Sequence, residues 1–168
     1  YREDPVRMLR AIRFAVKLGF KIHPDTARPI GPMAELLRNI PAARLFEEVL
    51  KLFLGGHAER TFELLLHYDL FAPLFPATAQ ALEDNPEYTG KLIRQALINT
   101  DERIRIGKPV TPAFLFAALL WPALPARVVE QQERGLPPIP ALQEAAHELI
   151  AEQCRRIAVP KRFTLPIR

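Results

Sequence analysis

Hydrophobic residues recur along most of this chain at the three- and four-residue spacing of amphipathic helices. In residues 42–54, Leu45, Val49 and Leu52 form one apolar face, and Glu48 and Lys51 are expected on the polar side. No stretch shows the strict alternation of a half-buried strand. The pattern predicts an all-α protein, an irregular bundle of about eight to ten helices. The expected helices span roughly 5–18, 32–38, 42–54, 58–68, 86–104, 112–120, 123–134 and 141–157.

Prolines mark the starts of several predicted helices. The chain has 17 prolines, and three of them directly follow a residue type that caps helices. These dipeptides are Asp4-Pro5, Asn85-Pro86 and Thr111-Pro112. Residues 70–76 and 136–140 are predicted to be connectors. A mild break within 76–85 divides the chain into two expected units, a neck at 1–76 and a helical body at 77–168.

Composition narrows the class of protein. A hydrophobic fraction of 49% over 168 residues is typical of a globular chain with a sizeable core. The longest apolar stretch, Ala113 to Trp121, is closed by Pro122 and is shorter than the roughly 18 residues that span a bilayer, so no membrane segment is expected. A lone cysteine, Cys154, favours a reducing compartment and a cytoplasmic protein. Residue 1 is not a methionine, and residues 164–168 end within a continuing sequence pattern. We therefore expect a fragment of a longer protein.

Positive charge is concentrated at the two ends. Residues 1–22 hold six cations and two acids, and residues 155–168 hold five cations and no acid. The net charge is +4, so the middle of the chain is acidic. Clusters of basic residues on an ordered chain are typical of proteins that bind a polyanion, although an ordinary solvated surface can have the same composition.

The first predicted helix combines a core stripe with a basic stripe. At about 100° per residue, Arg7, Arg10, Arg13 and Lys17 fall within an arc of roughly 120°, away from the apolar residues. Asp4 and Arg7 project from neighbouring positions at the start of the helix. The stripe can bind an anion, or it can be an ordinary solvated and ion-paired face.

An acid beside an arginine complements a partner that shows a donor next to an acceptor. The base-pairing edges of adenine and cytosine have that order, whereas guanine and uracil show a carbonyl beside an N–H. Asp4 and Arg7 could therefore accept A and C and reject G and U, because a mismatched base leaves their polar groups unpaired. The alternative is that Asp4 simply caps the helix.

Residues 2–14, Arg-Glu-Asp-Pro-Val-Arg-Met-Leu-Arg-Ala-Ile-Arg-Phe, resemble the Glu-Asp-x-x-Arg motif of the bacterial nucleotidyltransferases that comprise CCA-adding enzymes and poly(A) polymerases. Residues 39–53 and 157–168 resemble the poly(A) polymerase branch of that family. The family has an α/β head with the catalytic carboxylates, followed by a helical neck, body and tail. The chain resembles the neck and body of such a class II nucleotidyltransferase, without the head.

The resemblance implies roles for individual residues. Asp4 and Arg7 would contact the nucleobase, with Glu3, Arg10 and Arg13 also in the nucleotide site. The remaining basic residues of the two ends would bind RNA, and they are Lys17, Arg155, Arg156, Lys161 and Arg162.

The resemblance also implies what the chain lacks. The family's reaction uses Mg²⁺ held by head carboxylates, with ATP as substrate and an RNA 3′ end as acceptor. We therefore expect no catalytic and no metal-binding residue here, and no activity of the fragment alone. Asp101 and Glu102 are expected to be solvated. A CCA-adding tRNA nucleotidyltransferase and a non-catalytic helical RNA-binding adaptor remain as alternatives.

Overall fold

The computed structural model describes residues 3–160. Within that range it contains helices and no strand, so the all-α prediction is confirmed. Eight of the helices have nine residues or more, and two 3₁₀ segments lie at Ala34–Asn39 and Trp121–Ala123. The helices are α1 (Val6–Leu18), α2 (Pro24–Ala27), α3 (Ile30–Met33), α4 (Ala42–Phe53), α5 (Ala58–His67), α6 (Phe71–Leu74), α7 (Pro76–Asp84), α8 (Pro86–Arg105), α9 (Pro112–Leu120), α10 (Leu124–Glu133) and α11 (Pro138–Arg156).

The proline-marked helix starts at 86 and 112 are confirmed. The Asn85 side chain accepts a hydrogen bond from the N–H of Tyr88, and Thr111 accepts one from the N–H of Phe114. These caps satisfy backbone donors that a helix start would otherwise leave unpaired. At the far end of α1, Gly19 takes the left-handed conformation that favours glycine, with φ of 70°.

Four expectations about secondary structure are wrong. The connector at 70–76 contains α6, and α7 occupies residues 76–84, where no helix was expected. Pro76 and Pro138 each stand in a first helical turn, where a missing N–H costs nothing, so α7 begins at 76 and α11 begins before 141. The segment expected as one helix at 32–38 is instead α3 followed by a 3₁₀ turn.

Five phenylalanines lie at the centre of one hydrophobic core. The rings of Phe71 and Phe75 stack at 5.3 Å, and the Phe75 ring lies 5.9 Å from that of Phe116. Phe53 and Phe46 contact these rings from α4. The core draws buried residues from α1, α4, α5, α8 and α9 and from the segment after α11. The division into units 1–76 and 77–168 stays a prediction.

The expectation that Pro122 closes the apolar stretch is wrong. The helix continues from Pro112 to Glu133 through the 3₁₀ turn, and by length and composition this run could cross a membrane. That is weak evidence, because a core helix of a soluble protein passes the same test. Leu115, Phe116 and Leu119 of this run are buried in the described structure, whereas Trp121 is exposed.

Candidate nucleotide and RNA interface

Helix α1 has the two faces that its sequence predicts. Its apolar side is buried through Met8, Leu9 and Ile12, which anchor the helix in the core. Arg7 and Lys17 are exposed on the other side, and Arg10 and Arg13 are half-buried. Glu3, just before the helix, is exposed. Packing therefore fixes the helix while its cations remain at the surface.

Asp4 forms an ion pair with a residue that the sequence analysis did not single out. Its Oδ2 accepts a hydrogen bond from Arg44 Nη2 of α4 at 2.9 Å. That bond and the charge of Arg44 lower the pKa of Asp4, with smaller contributions from the Val6 N–H and Arg10, against an opposing effect of burial. The second oxygen, Oδ1, is buried and has no hydrogen-bond partner among the described residues. Asp4 is thus a fixed carboxylate with one acceptor unused.

Arg7 remains unpaired in the part of the chain that the structure describes, with no ion pair and no side-chain hydrogen bond. Helix α1 begins at Val6 with Pro5 as its cap residue, and no side-chain cap hydrogen bond is present. Pro5 has no side-chain acceptor, and the Val6 N–H is close enough to the Asp4 carboxylate to lower its pKa, so the capping alternative for Asp4 stays open. Contact of Asp4 and Arg7 with a nucleobase stays a prediction.

A second ion pair joins the same two helices. Arg10 Nη2 of α1 donates to Glu48 Oε1 of α4 at 3.4 Å. The Glu48 side chain is only 4% exposed, so the expectation that it lies on the solvent side of α4 is wrong. Arg44 and Glu48 are four residues apart, one turn along α4, and they pair with an acid just before α1 and a base within it. Two ion pairs of opposite orientation therefore connect this segment to α4.

Residues near both ends of the described range contact the first turn of α4. The N–H of Ala158 donates to the carbonyl of Ala42 at 3.0 Å, two residues before the arginine that holds Asp4. Arg155 and Arg156 belong to the last turn of α11, just before this contact. Within the described range, the first turn of α4 thus contacts both the segment before α1 and the segment after α11. Lys161 and Arg162 lie outside the described residues.

The carboxylates of residues 3–160 do not form a metal site. No group of three or more His, Cys, Asp or Glu side chains in that range could hold a metal ion. Asp101, expected to be solvated, instead accepts hydrogen bonds from the N–H groups of Ala58 and Glu59 at 2.6 and 3.2 Å. It caps the start of α5 from the neighbouring helix α8. This carboxylate is structural.

Two family models match parts of this chain, and known proteins resemble nearly all of it. Residues 19–82 match the family model "Probable RNA and SrmB- binding site of polymerase A", and residues 134–168 match "Polymerase A arginine-rich C-terminus". The chain is 49% identical over 166 residues to poly(A) polymerase I of Escherichia coli O157:H7, covering 98% of this chain and 36% of that protein. It is 44% identical over 170 residues to poly(A) polymerase I of Haemophilus influenzae, covering all of this chain and 38% of that protein.

Similarity to CCA-adding enzymes is shorter. The CCA-adding enzyme of Geobacillus stearothermophilus is 43% identical over 74 residues, which is 44% of this chain and 18% of that enzyme. The chain spans little more than a third of the length of the poly(A) polymerases that it matches.

Proposed function

The chain belongs to the poly(A) polymerase family, and we propose that it supplies adenine recognition and RNA binding to an enzyme that adds AMP from ATP to RNA 3′ ends without a template. The observation that carries the proposal is the fixed Asp4 carboxylate just before α1. It lies in a chain of which 98% aligns with poly(A) polymerase I. A cytoplasmic location stays part of this proposal.

Adenine recognition follows from the donors and acceptors of two side chains. Asp4 can accept a hydrogen bond from the exocyclic amino group through Oδ2, because Oδ1 is buried and the single bond from Arg44 leaves Oδ2 with further acceptor capacity. The exposed Arg7 guanidinium can donate to the neighbouring ring nitrogen. Arg44 keeps Asp4 charged and fixed in place, so little ordering is left for the moment of binding. We propose that Glu3, Arg10 and Arg13 contribute to the same nucleotide site.

RNA binding follows from the positive charge near both ends of the sequence. Lys17, Arg155 and Arg156 present positive charge in the described part of the chain, and Lys161 and Arg162 extend the basic sequence beyond it. Phosphate contacts by such residues position an RNA strand without reading its sequence. The bases would then be recognised only at Asp4 and Arg7.

The chemical step belongs to a part of the protein beyond this chain. Residues 3–160 offer no group of carboxylates that fits Mg²⁺, so the metal and the ATP phosphates would be held by another domain. What this chain does in the reaction is to orient the base and hold the RNA.

Nucleotide incorporation by the full-length protein tests the proposal. With an RNA primer and each of the four nucleotides in turn, we expect AMP addition and long homopolymeric tails. Incorporation of both CMP and AMP ending after a few nucleotides would identify a CCA-adding enzyme instead, since the Asp4 and Arg7 pair fits both bases. RNA binding without any incorporation would identify a non-catalytic adaptor.

A further inference from the structure

A basic cleft lies beyond the Asp4 region, where the end of α1 meets the end of α4 and the start of α5. It has a volume of about 400 Å³, and Arg13, Phe14 and Lys17 of α1 line one side of it. Lys51, Gly55 and His57 line the other side. We call this surface the Phe14 cleft.

The charge of the Phe14 cleft is poorly compensated. Across residues 3–160, neither Arg13 nor Lys17 has an ion-pair partner. Lys51 lies 3.9 Å from Glu48, but that single carboxylate also pairs with Arg10. No acidic residue lines the cleft. An anion that enters it would therefore meet three cations whose charge the fold leaves largely unneutralised.

An aromatic ring is exposed within this basic surface. Phe14 is 50% exposed, although it lies in a helix whose other large apolar residues up to Val16 are buried. At about 100° per residue, its side chain projects between those of Arg7 and Arg10, inside the basic arc of α1. The Arg13 guanidinium lies 5.3 Å from the centre of the ring. A ring flanked by cations is the combination that binds unpaired bases together with their phosphates.

We propose that the Phe14 cleft binds one nucleotide of single-stranded RNA, with the base stacked on Phe14 and the flanking phosphates contacted by Lys17 and Lys51. The inference rests on the proposed function, and it adds Phe14 and Lys51 to the RNA-binding surface. Charge complementarity favours RNA over a protein segment of the same chain, because an apolar protein surface would leave the cations of the cleft unpaired. The subsite reads no sequence, since every base has a stacking face.

Salt dependence of RNA affinity tests the phosphate contacts. The full-length protein is titrated with a short oligoadenylate, without ATP or Mg²⁺, over a range of salt concentrations. For the double variant Lys17→Gln/Lys51→Gln, we expect the slope of log affinity against log salt to fall by about 1.4, at about 0.7 per phosphate contact on a single strand.

The matched control is Lys91→Gln/Lys108→Gln, which removes the same charge from two exposed lysines of α8 and the turn after it. Its slope should change much less. Equal changes of slope in the two double variants would mean that RNA affinity depends only on overall charge. That result would refute the proposed subsite.

An abasic probe tests the stacking contact. Phe14→Leu keeps an apolar side chain but removes the aromatic face, so affinity for oligoadenylate should fall roughly 5- to 150-fold. Affinity for a ribose-phosphate oligomer of the same length, which has no bases, should be unchanged.

A different outcome would assign Phe14 to contact with the rest of the protein. In that case Phe14→Leu would lower the melting temperature and leave affinity for oligoadenylate unchanged, which overturns the proposal. Because RNA binding is measured without ATP or Mg²⁺, the result does not depend on catalysis. A protein that incorporates no AMP but shows both expected binding changes would contradict the proposed function and leave the subsite standing.

Discussion

Arg44 determines the environment of Asp4, the residue on which base recognition depends. The ion pair lowers the pKa of Asp4 below its ordinary value of 3.8. A carboxyl whose pKa is lowered in the folded state contributes stability that is fully present above the ordinary value and is lost as the pH falls through the lowered one. Asp4 is therefore charged throughout the neutral range, and base recognition through it should not change with pH there.

Asp4→Asn is the most informative substitution of a single residue in the candidate site. Asparagine has nearly the same size, but its amide places N–H donors where the adenine amino group needs an acceptor. We expect ATP use by the full-length protein to fall roughly 10- to 150-fold, and discrimination against GTP and UTP to weaken. The melting temperature should change little, because partly exposed ion pairs contribute little stability.

The control for this substitution is Asp25→Asn, a change of the same chemistry at a carboxylate whose side chain is 77% exposed. It should leave nucleotide use unaltered. Relative use of the four nucleotides that stays the same in Asp4→Asn would refute base recognition by Asp4.

At the scale of elements, helices in this chain stabilise one another's ends. Helix α5 begins with free N–H groups, and the carboxylate of Asp101 from α8 accepts two of them. Gln153 of α11 donates to the Leu74 carbonyl at the end of α6, at 2.8 Å and fully buried. Such contacts satisfy backbone groups that no local residue reaches, and they tie distant helices together.

Removal of the Asp101 cap should destabilise the fold measurably. Asp101→Ala leaves two N–H groups at the start of α5 without their acceptor, at a cost of about 1–2 kcal/mol. In thermal unfolding of the chain, we expect the melting temperature to drop by roughly 2–8 °C.

Glu102→Ala is the matched control, because Glu102 is the next residue of α8 and its side chain pairs, within residues 3–160, only with the exposed Arg105. It should shift the melting temperature far less. Equal shifts would indicate that Asp101 acts through helix α8 itself and not as a cap of α5.

In the described part of the molecule, the segments before α1 and after α11 contact the same turn of α4, and no group of three or more His, Cys, Asp or Glu side chains could hold a metal ion. We therefore expect the isolated 168-residue chain to bind RNA in a salt-dependent manner but to incorporate no nucleotide with ATP, Mg²⁺ and a primer. A gel assay of primer extension measures this, with the full-length protein as positive control. Extension by the purified chain would show that the catalytic carboxylates lie within it.

The sequence by itself determined the helical class, the two faces of α1 and the helix starts at Pro86 and Pro112. These features are local, because they depend on hydrophobic spacing, on side-chain caps and on the fixed φ of proline. The family motif at residues 2–14 has the same local character, and it indicates Asp4 and Arg7 from the order of residues alone.

Only the tertiary structure decided which partners those residues have. Arg44 and Asp4 are 40 residues apart, and Asp101 and Ala58 are 43 apart. Glu48 looked like a solvent-facing acid on its own helix, and only the packing of α1 across α4 buries it. Periodicity gives the direction in which a side chain leaves its helix, but burial and charge pairing depend on which other helix lies there.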